Sequence, residues 1–133
     1  MGAWGAGPFE NDDASDWVYE LEEGGVKHLQ STLQAVTKAE KDDYLEIDAC
    51  SNAIAAAEVV AALQGRAAKD LPEEVTAWLE TKPKGRPDLV VLAKDAVARV
   101  AREGELKELW DEAEPKDAAA WKQSVNDLLQ RLA

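Results

Sequence analysis

Apolar residues recur along this chain at intervals of three and four positions, the repeat of an amphipathic α-helix. The first such segment begins at Asn11–Asp13, any of which can act as its N-cap, and ends at Gly24–Gly25. A second amphipathic segment runs from Gly25 to about Glu40. No run of four or more residues alternates convincingly between apolar and polar, so we predict no β-strand.

The segment from Glu46 to Gln64 differs, because alanine and β-branched residues occupy nearly every side of it. This pattern is typical of a helix that is surrounded by its neighbours. Four more helical segments follow, near residues 72–79, 89–100, 106–113 and 115–132. We therefore predict an all-α fold, a single domain over residues 1–133, with about six to seven helices bundled around the alanine-rich one.

The chain opens with an arm that combines three glycines with large aromatic residues. The glycines free the backbone, and Trp4 and Phe9 are apolar side chains that favour burial. We expect the arm to pack on the central helix, with Trp4, Phe9 and Trp17 as structural anchors. An alternative interpretation is a glycine-lined pocket beside the acidic residues 10–16.

Glu58 is the exception within the central helix, because its helical neighbours at positions 54, 55, 61 and 62 are apolar. A carboxylate in that setting must be paired, hydrogen-bonded, neutralised or at the edge of a groove. One interpretation is a hydrogen bond from the Trp4 indole or from backbone N–H groups of the arm. The other is a metal-binding or proton-transfer carboxylate that acts with Asp12, Asp16 or Asp48. These four acids form the candidate site.

Other chemical signals are sparse. His28 is the only histidine, and we expect it to be an exposed or half-buried helix residue; Cys50 is the only cysteine, and we expect it to fill the core. No zinc spacing, EF-hand loop, dinucleotide or phosphate-binding glycine motif, or di-iron Glu-x-x-His step occurs. We therefore predict no cofactor, no metal and no catalytic residue, and favour a non-enzymatic protein.

The chain has 27 acidic and 15 basic residues, which gives a net charge of −12. Such a surface repels phosphates and anionic lipids, so we expect no nucleic-acid or membrane partner. The absence of a recognisable signal peptide and the single cysteine predict a cytoplasmic location.

A small acidic helical protein fits a basic protein partner, as an immunity protein, antitoxin-like inhibitor or adaptor would. The acidic segments 10–16, 40–48 and 105–114 are candidate surfaces, although charged runs are commonly solvated helix faces. The alternative function is a carboxylate-based metal-binding or hydrolytic site at the arm and the central helix.

Two stretches of the sequence resemble a known family. Residues 2–17 read GAWGAGPFENDDASDW, and residues 55–63 read AAAEVVAAL within a block that begins at Asp48 and includes Cys50. Both stretches resemble recurrent blocks of a bacterial family known as domain of unknown function 4259. The resemblance covers about the first half of the chain and implies a small helical bacterial protein, with no activity assigned to any residue.

Overall fold

A computed structural model describes residues 7–40, 42–68, 71–81 and 87–133 of the chain. Within these ranges it contains six helices and no strand, which confirms the all-α prediction. The helices are α1 (Asp12–Thr37), α2 (Ile47–Leu63), α3 (Glu73–Glu80), α4 (Pro87–Arg102), α5 (Glu105–Asp111) and α6 (Pro115–Leu132). No helix of the described part is long and apolar enough to cross a membrane.

Helix α2 lies at the centre of the bundle and contacts α1, α4, α5 and α6. Eleven of its residues are buried, most of them alanine or valine. These small side chains let the surrounding helices approach closely, so that leucines from other helices fill the space between them (Leu29, Leu33, Leu89 and Leu128, all fully buried). Each buried leucine contributes about 1.5–3 kcal/mol relative to exposure. The predicted central helix is therefore confirmed.

Helix α1 is sharply bent at Gly25, whose φ of 58° and ψ of −142° are non-helical and open to glycine almost alone. A straight helix would separate Trp17 and Thr32 by about 22 Å. The Trp17 indole N–H instead donates to Thr32 Oγ1 at 2.7 Å. The two halves of α1, residues 12–24 and 26–37, therefore fold against each other. The sequence prediction of two helical segments that meet at Gly24–Gly25 describes this geometry.

Distant side chains support the helix ends. The N-cap residue of α2, Glu46, makes no capping hydrogen bond with its side chain, and the first N–H of the helix, from Ile47, donates to the Glu105 carboxylate at 2.7 Å. The Glu105 N–H donates in return to Leu45 O at 2.9 Å. Gly104, with a φ of 109°, permits this contact, because a Cβ there would lie 2.9 Å from the Leu45 Cβ. The start of α5 is thereby held against the start of α2.

The carboxyl end of α1 is supported in the same way by Arg99 of α4, a buried cation. Its guanidinium donates to Val36 O at 2.9 Å and to Glu40 O at 2.7 Å. Carbonyl groups at the end of a helix carry partial negative charge, so a cation suits them. The amino end of α1 has a local cap instead, since the Asn11 side chain accepts from the Ala14 N–H at 2.8 Å.

The arm is described only in part. Phe9 is half-buried and packs against the core, and Trp17 is buried within it. Trp4 lies outside the described residues. Its contact with the central helix stays a prediction.

Replacing Gly25 with alanine should destabilise the protein by about 1–3 kcal/mol, because the bend requires a backbone conformation that an L-side chain adopts with strain. Chemical denaturation monitored by far-UV circular dichroism measures the change. Ser31→Ala, on the exposed side of the second half of α1, is the control and should stay within about 0.5 kcal/mol of the natural protein. A Gly25→Ala protein of unchanged stability would show that α1 does not depend on this bend.

Candidate functional site

Glu58 is fully buried and forms a two-pronged ion pair with Arg131 of α6. Arg131 Nη1 lies 2.7 Å from Glu58 Oε1, and Nη2 lies 2.9 Å from Oε2. The sequence interpretation that Glu58 needs a partner is correct, but the observed partner is Arg131, whereas the sequence pointed to the Trp4 indole or the arm. Because 73 positions separate the two residues, helical spacing could not indicate the pair.

Arg131 extends this contact beyond Glu58. Its Nε donates to Asp127 Oδ2 at 2.8 Å, and its Nη1 donates to the Arg66 carbonyl oxygen at 3.2 Å. Arg66 in turn donates to the Ala133 carbonyl oxygen at 2.9 Å. The hydrogen bond with Glu58 is the main cause that raises the pKa of Arg131. The network joins the end of α2 to the end of α6, which gives Glu58 a structural role.

The other three candidate acids lie elsewhere. Asp48 and Glu58 are ten positions apart on α2, a distance of about 15 Å along the helix. Asp12, Asp16 and Asp48 are exposed and surround Asp13. Burial, and then the charges of Asp48, Asp12 and Asp16, raise the pKa of Asp13 above the ordinary 3.8. Among the described residues no group of three or more potential ligands is arranged to hold a metal ion.

All three acidic segments of the sequence meet around the amino end of α2. Asp48 in its first turn lies near Asp13, and Glu105 accepts from the first N–H of the helix. The Tyr44 hydroxyl donates to Glu108 Oε1 at 2.7 Å, which raises the pKa of Tyr44 to about 12. We name this group the acidic collar and define it as Asp12, Asp13, Asp16, Asp48, Glu105 and Glu108.

Cys50 is buried beneath the collar, and its thiol is unreactive at neutral pH. Burial is the main cause that raises the pKa of its thiol to about 11, and the charges of Glu105 and Asp48 add to the effect. The thiolate is the reactive form of cysteine, and it is scarce at neutral pH with such a pKa. The expectation that Cys50 fills the core is confirmed by its complete burial.

Beside the collar, a groove of about 420 Å³ runs between α1 and the first turns of α2. Residues 17 and 20 from the first half of α1 line it, together with residues 28, 31, 32 and 35 from the second half and residues 48, 49 and 52 from α2. The bend at Gly25 creates the groove by bringing the two halves of α1 together. Asp48 belongs to both the groove and the collar.

The wall of the groove contains a stacked pair and two unsatisfied atoms. The Trp17 and His28 rings stack with centroids 4.8 Å apart, and the Thr32 hydroxyl both accepts from Trp17 and donates to the His28 carbonyl oxygen. His28 Nε2 and Asn52 Oδ1 are buried, and neither has a hydrogen-bond partner among the residues that the structure describes. A buried polar atom without a partner costs about 1–3 kcal/mol and calls for an explanation.

Sequence reasoning missed this groove. It treated His28 as an ordinary helix residue and did not single out Asn52. One signal was present, because Asp48 and Asn52 are four residues apart and therefore share a face of a mostly apolar helix. The fold of α1 over that face could not be foreseen from spacing.

Arg131→Met should destabilise the protein by about 3–5 kcal/mol, because it leaves the Glu58 carboxylate buried without a partner. Adding Glu58→Leu should restore most of the loss, since the charge is then removed as well. Asp127→Asn is the control, because Asp127 is exposed and its removal should change stability by less than about 1 kcal/mol. Urea unfolding of the four proteins measures these differences, and a harmless Arg131→Met would contradict the structural role of the pair.

Asp13→Asn should stabilise the protein slightly at neutral pH and low salt, by a few tenths of a kcal/mol because solvent screens this largely exposed site, since it removes a charge that its neighbours repel. A raised pKa means that the folded state holds the Asp13 proton more tightly than the unfolded chain does. The advantage of the variant is therefore complete above the folded-state pKa and disappears as the pH falls towards the unfolded value. Thermal unfolding measured at pH values from about 3 to 8, an interval that spans the titration of carboxyl groups, tests this trend. A stability difference that grows on acidification would contradict it.

A similarity to a known protein family extends over both the acidic collar and the groove. No curated protein and no solved structure matches the chain. The sequence model of a protein family described as a domain of unknown function, DUF4259, matches residues 2–124. That span includes the acidic collar and the groove and ends before Arg131. The chain therefore belongs to the DUF4259 family.

Proposed function

We propose that this protein is a non-enzymatic binding protein that engages a basic protein partner through the acidic collar. One observation carries the proposal: three acidic segments that are far apart in the sequence meet around one end of α2. Acidic residues that only keep a helix face in contact with water would not need to gather from three segments at one place. A binding surface for a cationic partner benefits from it, because complementary charge speeds encounter and selects the partner.

Glu105 of the collar supports the start of α2, but the exposed acids of the collar have no such structural role. Asp12, Asp16 and Asp48 are exposed, and their charges help to raise the pKa of Asp13, so the carboxylates repel one another. The amino ends of α1 and α2 offset part of this repulsion, since helix N-termini favour negative charge. A cationic partner would relieve the remainder, at about 1 kcal/mol for a contact pair in water and more where water is excluded.

A metal-binding or hydrolytic site at the arm and the central helix has less support. Both oxygens of Glu58 are engaged by Arg131, and Glu58 lies about 15 Å along α2 from Asp48. The remaining carboxylates lie on an exposed surface rather than in a closed site. A binding role of the immunity-protein, inhibitor or adaptor kind uses that surface directly. The single buried thiol suits the reducing cytoplasm in which we place this role.

The proposal is tested by removing collar charges and matched charges elsewhere. The collar variant Asp12→Asn, Asp16→Asn, Asp48→Asn should lose capture of a basic protein from extracts of the organism that encodes it. The control variant Glu80→Gln, Asp95→Asn, Asp117→Asn changes the net charge equally at exposed sites on α3, α4 and α6, and it should retain capture. Mass spectrometry identifies the captured protein, and calorimetry with that protein measures the affinity.

Binding to the collar should also depend on salt, weakening by about tenfold or more between roughly 50 and 300 mM NaCl. Equal losses in both triple variants would show that net charge alone, and not the collar, attracts the partner. Capture of an acidic or neutral protein with salt-independent affinity would contradict the proposal altogether.

A further inference from the structure

We propose that the groove between α1 and α2 receives the guanidinium group of an arginine side chain. This inference rests on the proposed function, because it names the chemical group through which the basic partner would be anchored beside the acidic collar. It is carried by a different part of the structure, namely the chemistry of the groove wall. The groove and the collar share Asp48, so one ligand chain can contact both.

The charge of the groove selects a cation. Asp48 and Glu20 contribute carboxylates, and the lining within the described residues includes no lysine or arginine. An anionic ligand would therefore meet repulsion without compensation. A cationic ligand would meet two carboxylates, each of which attracts a cation at contact distance by about 1 kcal/mol in water.

The unsatisfied atoms of the wall select a hydrogen-bond donor. Asn52 Oδ1 is an acceptor, and His28 Nε2 is an acceptor in the tautomer that carries its proton on Nδ1. Both atoms are buried in the unbound protein, so their side chains must rotate towards the groove to meet a ligand. That rotation is favoured by the ligand itself, because unsatisfied buried acceptors gain the partners that they lack. We assign no ligand contact to the Thr32 hydroxyl, because it already accepts a hydrogen bond from Trp17 and donates one to the His28 carbonyl oxygen.

The arrangement of the acceptors favours guanidinium over ammonium. His28 belongs to α1, whereas Asp48 and Asn52 belong to α2, so the acceptors approach from two walls. A guanidinium group is planar and presents five N–H donors in a fixed fork, and it is less strongly hydrated than an ammonium group. It can therefore contact both walls at once and lose less hydration on entering the groove. An ammonium group concentrates its charge at one point.

The experiment uses the full chain and three short peptides, acetyl-Gly-X-Gly-amide, in which X is arginine, lysine or citrulline. Citrulline keeps the shape of arginine but replaces the cation with a neutral urea. Titrations followed by ¹H–¹⁵N NMR should show shifts of the Asn52 side-chain amide and of the His28 ring with the arginine peptide. The response should be several times weaker with lysine and absent with citrulline.

Two substitutions separate binding from folding. Asp48→Asn should weaken arginine-peptide affinity about tenfold, as expected for one charge-assisted hydrogen bond, whereas Asp117→Asn, an acid in the first turn of α6, should leave it unchanged. Asn52→Leu removes an unsatisfied buried acceptor. It should abolish binding and raise the melting temperature by about 4 °C, a gain in stability that accompanies a loss of function.

Equal shifts with lysine, or retained shifts with citrulline, would overturn the guanidinium assignment. An Asn52→Leu protein that binds arginine normally would overturn the role of the wall. If a basic partner is captured in a collar-dependent manner and the arginine peptide gives no shifts, this inference fails while the proposed function stands. If the peptide binds as described and no basic protein is captured, the groove assignment stands and the proposed function fails.

Discussion

The close packing of α2 on every side is the constraint on which the rest of the structure depends. Its alanines and valines cannot be left in water without losing the apolar burial that stabilises the fold, so other helices must enclose it. The small side chains set how near those helices come, and the large leucines of α1, α4 and α6 fill what remains. A charged residue within such a helix must bring its own partner, which explains the pairing of Glu58 with Arg131.

The enclosure of α2 also decides where polar groups can collect. The body of α2 is buried, and the acid it carries, Glu58, needs an internal partner. The other acids beside α2 lie at its exposed amino end, where Asp48 and Glu105 are found and where the helix dipole favours negative charge. The first turn of α1 adds its own acids beside them. The acidic collar is therefore a product of both packing and electrostatics. The gathering of these charges at one surface is the basis of the binding role that we propose for the collar.

Glu58 and the groove illustrate two kinds of polar burial. The Glu58 carboxylate has its acceptors satisfied by a guanidinium group of the same chain, and it thereby joins two helices. Within the described part of the chain, the groove atoms of His28 and Asn52 have no such partner. The first arrangement stabilises a fold, whereas the second leaves hydrogen-bonding capacity that a ligand can use. The burial of Glu58 therefore did not indicate a functional site. Whether the polar atoms of a buried side chain have hydrogen-bond partners was the more informative observation.

The sequence by itself determined the local architecture: the helical segments, the central position of α2, the break at Gly25 and the acidity of three segments. Each of these follows from spacing, capping or composition within a few neighbouring residues. Only the tertiary structure decided that Arg131 pairs with Glu58, that Asp12, Asp16 and Asp48 gather at a distance from Glu58, and that a bent α1 forms a groove over Asn52. Those contacts join residues far apart in the chain, and periodicity does not encode which helix faces meet.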